Sequence, residues 1–161
     1  MRKVLSAATV ILLIELVNVA ATNYTDPDEL EELEQGQTAY LEGGLNVTIT
    51  KKLKKCFKRA VVGDILTIDY VGTYNNGTVF DESKTKLTQF RFQLGGGRII
   101  QGLELGVRGM CKGETRLLSV PHKLLSNGRG VASKSGEDLN YRVKLLSIDD
   151  KHVGYIRSNE L

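Results

Sequence analysis

From Leu45 onward the apolar residues of this chain recur at every second position, and that alternation limits what it can fold into. Leu45, Val47 and Ile49 alternate with polar partners, as do Leu66, Ile68 and Tyr70. Phe90, Phe92 and Leu94 repeat the pattern. A period of two puts one set of side chains on one face of a strand, so these segments are expected as strands with one buried face. Thr115 to Val120 and Asn140 to Ile148 are expected strands too. The Asn-Gly pair in Tyr74-Asn75-Asn76-Gly77-Thr78 suits the positive φ angles of a tight hairpin, with Thr78-Val79-Phe80 on the return. Helical spacing occurs at Ile99, Ile100, Leu103 and Val107, just after the glycines Gly95 to Gly97. The expected class is α+β: a mostly antiparallel sheet covered by one short helix. The glycine run lacks the following Gly-Lys-Ser/Thr of a phosphate loop and no βαβ unit surrounds it, so it reads as a sharp turn.

At 161 residues, 41% hydrophobic and 25% charged, the chain suits one domain plus extensions. Arg2 and Lys3 precede an apolar run from Val4 to Leu16, broken by Glu15, and the small residues Ala20 and Ala21 follow. This reads as a signal peptide over 1–21, cleaved after Ala21. The uninterrupted part, Val4 to Ile14, falls short of the ~20 apolar residues that span a bilayer. No stable membrane insertion is therefore expected after cleavage. Residues 22–44 read as an acidic linker, expected to be disordered, and 45–150 as the folded domain. The tail 151–161 ends in Ser158-Asn159-Glu160-Leu161, whose final Glu-Leu is shared with retrieval signals of the endoplasmic reticulum. The expected location is the lumen of that compartment, with secretion as the alternative.

An oxidising compartment suits the cysteines. Cys56 and Cys111 are the two in the chain, and they allow one bridge or two buried free thiols. The absence of Cys-x-x-C argues against thiol exchange and structural zinc. Three glycosylation sequons begin at Asn23, Asn46 and Asn76, and each needs luminal exposure to be used. Charge is uneven: residues 22–50 carry seven acids and no base, and residues 51–161 carry twenty bases and eleven acids. Lys51-Lys52-Leu53-Lys54-Lys55 has no interleaved aromatics for base stacking, so nucleic acid is not an expected partner. A solvated edge strand is the expected reading, because lysine discourages edge-to-edge pairing. His122 and His152 are not spaced with other metal ligands, and no Gly-x-Ser-x-Gly elbow occurs, which disfavours a metalloenzyme or hydrolase.

Several segments in order resemble one family. Asp69-Tyr70-Val71-Gly72, Asn76-Gly77-Thr78-Val79-Phe80-Asp81-Glu82-Ser83, Phe90-Arg91-Phe92-Gln93-Leu94-Gly95 and Ile99-Ile100-Gln101-Gly102-Leu103-Glu104-Leu105-Gly106-Val107 look like FKBP-type prolyl isomerases. Gly109-Met110-Cys111-Lys112-Gly113-Glu114-Thr115-Arg116 and Tyr141-Arg142-Val143-Lys144-Leu145-Leu146-Ser147-Ile148 continue the resemblance, which covers roughly residues 45 to 148. It extends to the small FKBP subgroup of the endoplasmic reticulum, whose disulfide positions match Cys56 and Cys111. The resemblance implies a half-barrel of five to six antiparallel strands wrapped around the short helix. It implies a pocket between sheet and helix that accepts a proline ring, with Tyr70 and Asp81 as catalytic residues. Phe80, Phe90, Ile99, Ile100, Leu103 and Tyr141 would bind the substrate. Taken singly, each of these apolar side chains reads as ordinary core.

The implied activity is rotation about Xaa-Pro bonds of polypeptide clients, assisting folding in the secretory pathway, with no cofactor or metal. The alternative is a binding or chaperone module with weak or no turnover. Leu103 stands where the family usually has Trp. Leu125-Ser126-Asn127-Gly128 and Lys134-Ser135-Gly136-Glu137 replace the family's Ala-Tyr-Gly and Ile-Pro-Pro in the 122–138 loop. Macrolide ligands are accordingly expected to bind with reduced affinity.

Overall fold

The computed structural model describes residue 30 and residues 32–83, 90–126 and 136–150. The expected signal peptide, Asn23, the middle of the 122–138 loop and the tail 151–161 lie outside the described residues. The chain order is β1 (Thr38–Tyr40), β2 (Asn46–Lys51), β3 (Ile65–Thr73), β4 (Val79–Glu82), β5 (Phe90–Gln93), α1 (Gln101–Val107), β6 (Thr115–Val120) and β7 (Leu139–Asp149). One sheet runs β1-β2-β6-β7-β3-β4, with β5 also paired to β3. Every pairing is antiparallel. The α+β class holds, with the sheet packed against one short helix.

The long strand β3 organises the sheet. One edge pairs with β7 from Ile65↔Asp149 to Thr73↔Asn140. The other edge is shared: β5 takes Ile65 to Ile68, and β4 takes Val71 to Thr73. The alternating apolar residues meet beneath the sheet. Val47, Ile49, Leu66, Ile68, Leu118, Val120, Val143 and Leu145 are all buried, and burying each such side chain contributes about 1.5–3 kcal/mol.

Two expectations change. Part of the span read as a linker belongs to the domain: Leu30, Leu33, Ala39 and Leu41 are buried, and β1 pairs with β2. Composition registered the acids there, whereas the interspersed apolar side chains reach the core. The three-residue β1 is too short to display an alternation and makes a seventh strand beyond the expected six. The lysine run is not an edge strand. β2 lies between β1 and β6 and stops at Lys51, opposite Thr115, so Lys52 to Lys55 leave the sheet.

A helix of seven residues has little stability alone in water, and α1 is held by close seating on β6. A β-carbon at Gly102 would lie 2.3 Å from Val120 Cγ1, and one at Gly106 would lie 2.5 Å from Leu118 Cδ1. Glycine at these two positions lets the helix backbone rest directly on the sheet. Below its C-terminal end, Arg116 is fully buried and its Nη1 donates to the carbonyls of Gly106 and Arg108 at 3.0 and 2.8 Å. These carbonyls lack partners within the helix. Arg116 Nε pairs with Glu114 Oε1 at 2.6 Å, and Glu114 Oε2 accepts the Cys111 amide at 2.8 Å. Burial pushes the guanidinium below its usual pKa, opposed by the Glu114 carboxylate. Cys111 is disulfide-bonded to Cys56, with Cα atoms 5.6 Å apart. The bridge thus ties the segment after β2 to the turn after α1.

Candidate active site

Tyr70 faces the core from β3 and is 4% exposed. Its hydroxyl donates to Asp81 Oδ2 at 2.7 Å. Its backbone amide donates to the Ser83 hydroxyl at 2.9 Å, and that hydroxyl in turn donates to the Asp69 carboxylate. Ser83 is buried, so it fixes the backbone of β3 beside the end of β4.

Phe80 and Asp81 are consecutive, and side chains of consecutive strand residues normally point to opposite faces. The β3–β4 ladder resolves this. Gly72 is opposite Asp81, Thr73 is opposite Val79, and the register shifts between them. Phe80 is the extra residue, and such a bulge re-aims side chains. Its ring then covers Gly72, where a β-carbon would fall 2.7 Å from Phe80 Cζ. Across the other edge of β3, Gly72 is opposite Tyr141. The Phe80 and Tyr141 rings meet edge-on with centroids 5.7 Å apart.

The remaining rings close around this point. Tyr70 meets Phe90 edge-on at 5.2 Å and lies tilted against Tyr141 at 6.4 Å, and Phe90 packs on Phe92 at 5.7 Å. Ile99, Ile100 and Leu103, at the start of α1, are buried in the same apolar cluster as Tyr70 and Tyr141, with Phe80 and Phe90 against it. Burial, then the proximity of Tyr70 and Asp81, hold the Tyr141 phenol well above the ordinary tyrosine pKa. It therefore stays neutral in a setting unfavourable to further negative charge.

Of the eight positions singled out in the sequence, seven lie in the apolar core or against it, and Asp81 is hydrogen-bonded to one of them, Tyr70. Gly72, Tyr74 and Ser83 were not among them. Tyr74 packs on Phe80 at 5.1 Å. A glycine inside an apolar strand signals close approach by another group, so Gly72 had a readable sign. Ser83 had none. The altered loop remains attached where it is described: Leu125 is fully buried, and the Ser126 carbonyl accepts the Gln101 amide at 3.0 Å, at the N-terminus of α1. Of the sequon residues, Asn46 starts β2 and is half-buried, whereas Asn76 is exposed in the hairpin turn.

The site thus sets a tyrosine-carboxylate pair among aromatic rings on an antiparallel sheet that carries one seated helix. Residues 56–146 match the family model of FKBP-type peptidyl-prolyl cis-trans isomerases. The chain belongs to this family and is a peptidyl-prolyl cis-trans isomerase. It is 39% identical over 110 residues to FK506-binding protein 2 of Candida glabrata, covering 65% of this chain and 81% of that protein. With peptidyl-prolyl cis-trans isomerase FKBP2 of Homo sapiens it shares 36% identity over 107 residues, 65% of this chain and 75% of the human protein. With FPR2 of Saccharomyces cerevisiae the identity is 37% over 109 residues, covering 65% and 81%.

Proposed function

We propose that the chain rotates Xaa-Pro bonds of polypeptides in the lumen of the endoplasmic reticulum, using the cluster around Tyr70 and Asp81. The observation that carries this reading is the convergence of rings from β3, β4, β5 and β7 around the Asp81 carboxylate, which Tyr70 hydrogen-bonds. Phe80, Phe90, Ile99, Ile100, Leu103 and Tyr141 form the walls around the proline ring. Tyr70 and Asp81 orient the substrate carbonyl.

The barrier to be lowered is about 18–20 kcal/mol and arises from amide resonance. At the twisted transition state that resonance is lost and the amide is less polar. An apolar site poor in water and shaped for the twist binds this state better than the planar one. No bond to the enzyme forms, so the residues act by shape, desolvation and orientation.

The luminal setting is supported by the Cys56–Cys111 bridge, since such bonds persist in oxidising compartments. The signal-like residues 1–21 support the same setting. Relatives named FK506-binding protein 2 suggest that this chain takes macrolides as well. Leu103 in place of an indole leaves less apolar contact area, which favours weaker binding. The altered 122–138 loop favours a second reading, a chaperone-like module with little turnover.

The test is cis-to-trans exchange in Leu-Pro and Phe-Pro peptides, followed by NMR with oxidised residues 22–161, the Asp81→Ala variant and added FK506. Acceleration that drops in the variant and is inhibited by FK506 supports the enzyme and its pocket together. No acceleration by folded protein leaves the binding module.

A further inference from the structure

The hairpin between β3 and β4 carries a sequon at the edge of the aromatic cluster. Asn76 is exposed, and its Oδ1 accepts the Thr78 amide at 2.9 Å, while the Gly77 amide donates to the Tyr74 carbonyl at 2.9 Å. Gly77 has φ +85° and open space around it. Asn76 also lines a shallow cleft with Tyr74, Asn75 and Glu137. Tyr74 connects that cleft to the pocket, because its ring packs on Phe80, which meets Tyr141. The turn is anchored to the opposite side of the mouth: Asn140 Nδ2 donates to Asn75 Oδ1 at 3.0 Å, one residue before Tyr141. Asn76 is therefore held beside the pocket by a fixed turn.

The other sequon among the described residues is placed differently. Asn46 is half-buried in a strand flanked on both edges, and the Thr48 hydroxyl is engaged with that of Thr38 at 2.7 Å. A bulky, hydrophilic glycan is accommodated at the open turn without disturbing a ladder.

We infer that Asn76 carries an N-linked glycan that screens the mouth of the isomerase pocket, admitting short or extended Xaa-Pro segments more readily than bulky, partly folded polypeptides. The inference rests on the luminal and catalytic reading above. In the modification, Asn76 Nδ2 displaces the lipid pyrophosphate from C1 of a lipid-linked oligosaccharide. A C1–N bond forms, the C1–O bond to pyrophosphate breaks, and the amide gives up one proton to the transferase's base. Lipid pyrophosphate leaves.

The test expresses the full chain in a eukaryotic secretory host, once with its own N-terminus and once behind a proven secretory leader. Glycopeptide mass spectrometry reads occupancy at Asn76, with Thr78→Ala abolishing it while keeping the asparagine. Turnover is then compared on a tetrapeptide and on a protein whose refolding is limited by proline isomerisation. The glycosylated protein is expected to match Thr78→Ala and Asn76→Gln on the tetrapeptide, yet to be roughly fivefold slower than both on the refolding protein. An unmodified Asn76 behind the proven leader overturns the inference whatever the native N-terminus does. Occupancy with the same ratio of the two activities in all forms overturns the screen but not the isomerase. Absence of turnover on both substrates in every form overturns the catalytic reading and the screen with it.

Discussion

The Tyr70 hydroxyl donates to Asp81 Oδ2 at 2.7 Å, joining the middle of β3 to the bulged strand β4. A hydrogen bond to a charged group is worth about 1.5–3 kcal/mol. If the pair orients substrate as a unit, Tyr70→Phe and Asp81→Ala each lower kcat/KM by about 10- to 100-fold, and the double variant loses little more than either. Exchange rates in a Leu-Pro peptide provide the measurement. Full activity in both single variants would remove the pair from the mechanism.

Gly72 forms the floor beneath the Phe80 ring. Gly72→Ala forces that ring away, because the added carbon falls 2.7 Å from Cζ. Overpacking of this kind costs about 1–3 kcal/mol. Peptide turnover is expected to fall together with the urea midpoint. Phe80→Leu added to Gly72→Ala is expected to recover stability without recovering turnover. A variant with unchanged stability and turnover would contradict the contact.

Tyr141 gives a prediction in alkali. Its phenol has a raised pKa in the folded state, first through burial and then through Tyr70 and Asp81. The stabilising contribution is therefore complete below the unfolded phenol's pKa of about 10 and fades as pH rises towards the folded value. Stability should decline above about pH 10, and this tyrosine should ionise only as the domain opens. Phenolate absorbance through an alkaline titration tests this, with Tyr141→Phe removing the late-ionising group. Ionisation of Tyr141 alongside exposed tyrosines in folded protein would refute it.

The bridge between Cys56 and Cys111 closes a separation of 55 residues. Constraint of the unfolded chain by a loop of that length stabilises the fold by about 4 kcal/mol. The Cys56→Ser, Cys111→Ser double variant should unfold at lower urea and lose its response to reductant. It should still turn over peptide where it remains folded, because the bridge lies beyond the C-terminal end of α1 and joins segments that carry none of the clustered rings. Equal urea midpoints for oxidised and reduced wild-type protein would count against the stabilisation.

The candidate site was legible to different depths. Tyr70 was visible as an inward strand residue, and the expected helix from Ile99 onward is shorter at its start, with α1 beginning at Gln101. Ile99 and Ile100 are nevertheless buried, since side chains leading into a helix can pack on the same core. Leu30 and Leu33 were hidden by the acids around them. Ser83 carried no local pattern that would mark it as the group holding Tyr70.

By itself the sequence determined the side-chain period of the main strands, the short helix after the glycine run, the Asn-Gly hairpin and the order of motifs that resemble the isomerase family. These follow from properties carried within a few consecutive residues. The tertiary structure alone decided that Phe80 and Asp81 share a face, that Gly72 lies opposite both Asp81 and Tyr141, and that Arg116 supports the end of α1. Those outcomes depend on the register between strands far apart in sequence and on a bulge in one ladder, and alternation within a single strand contains neither.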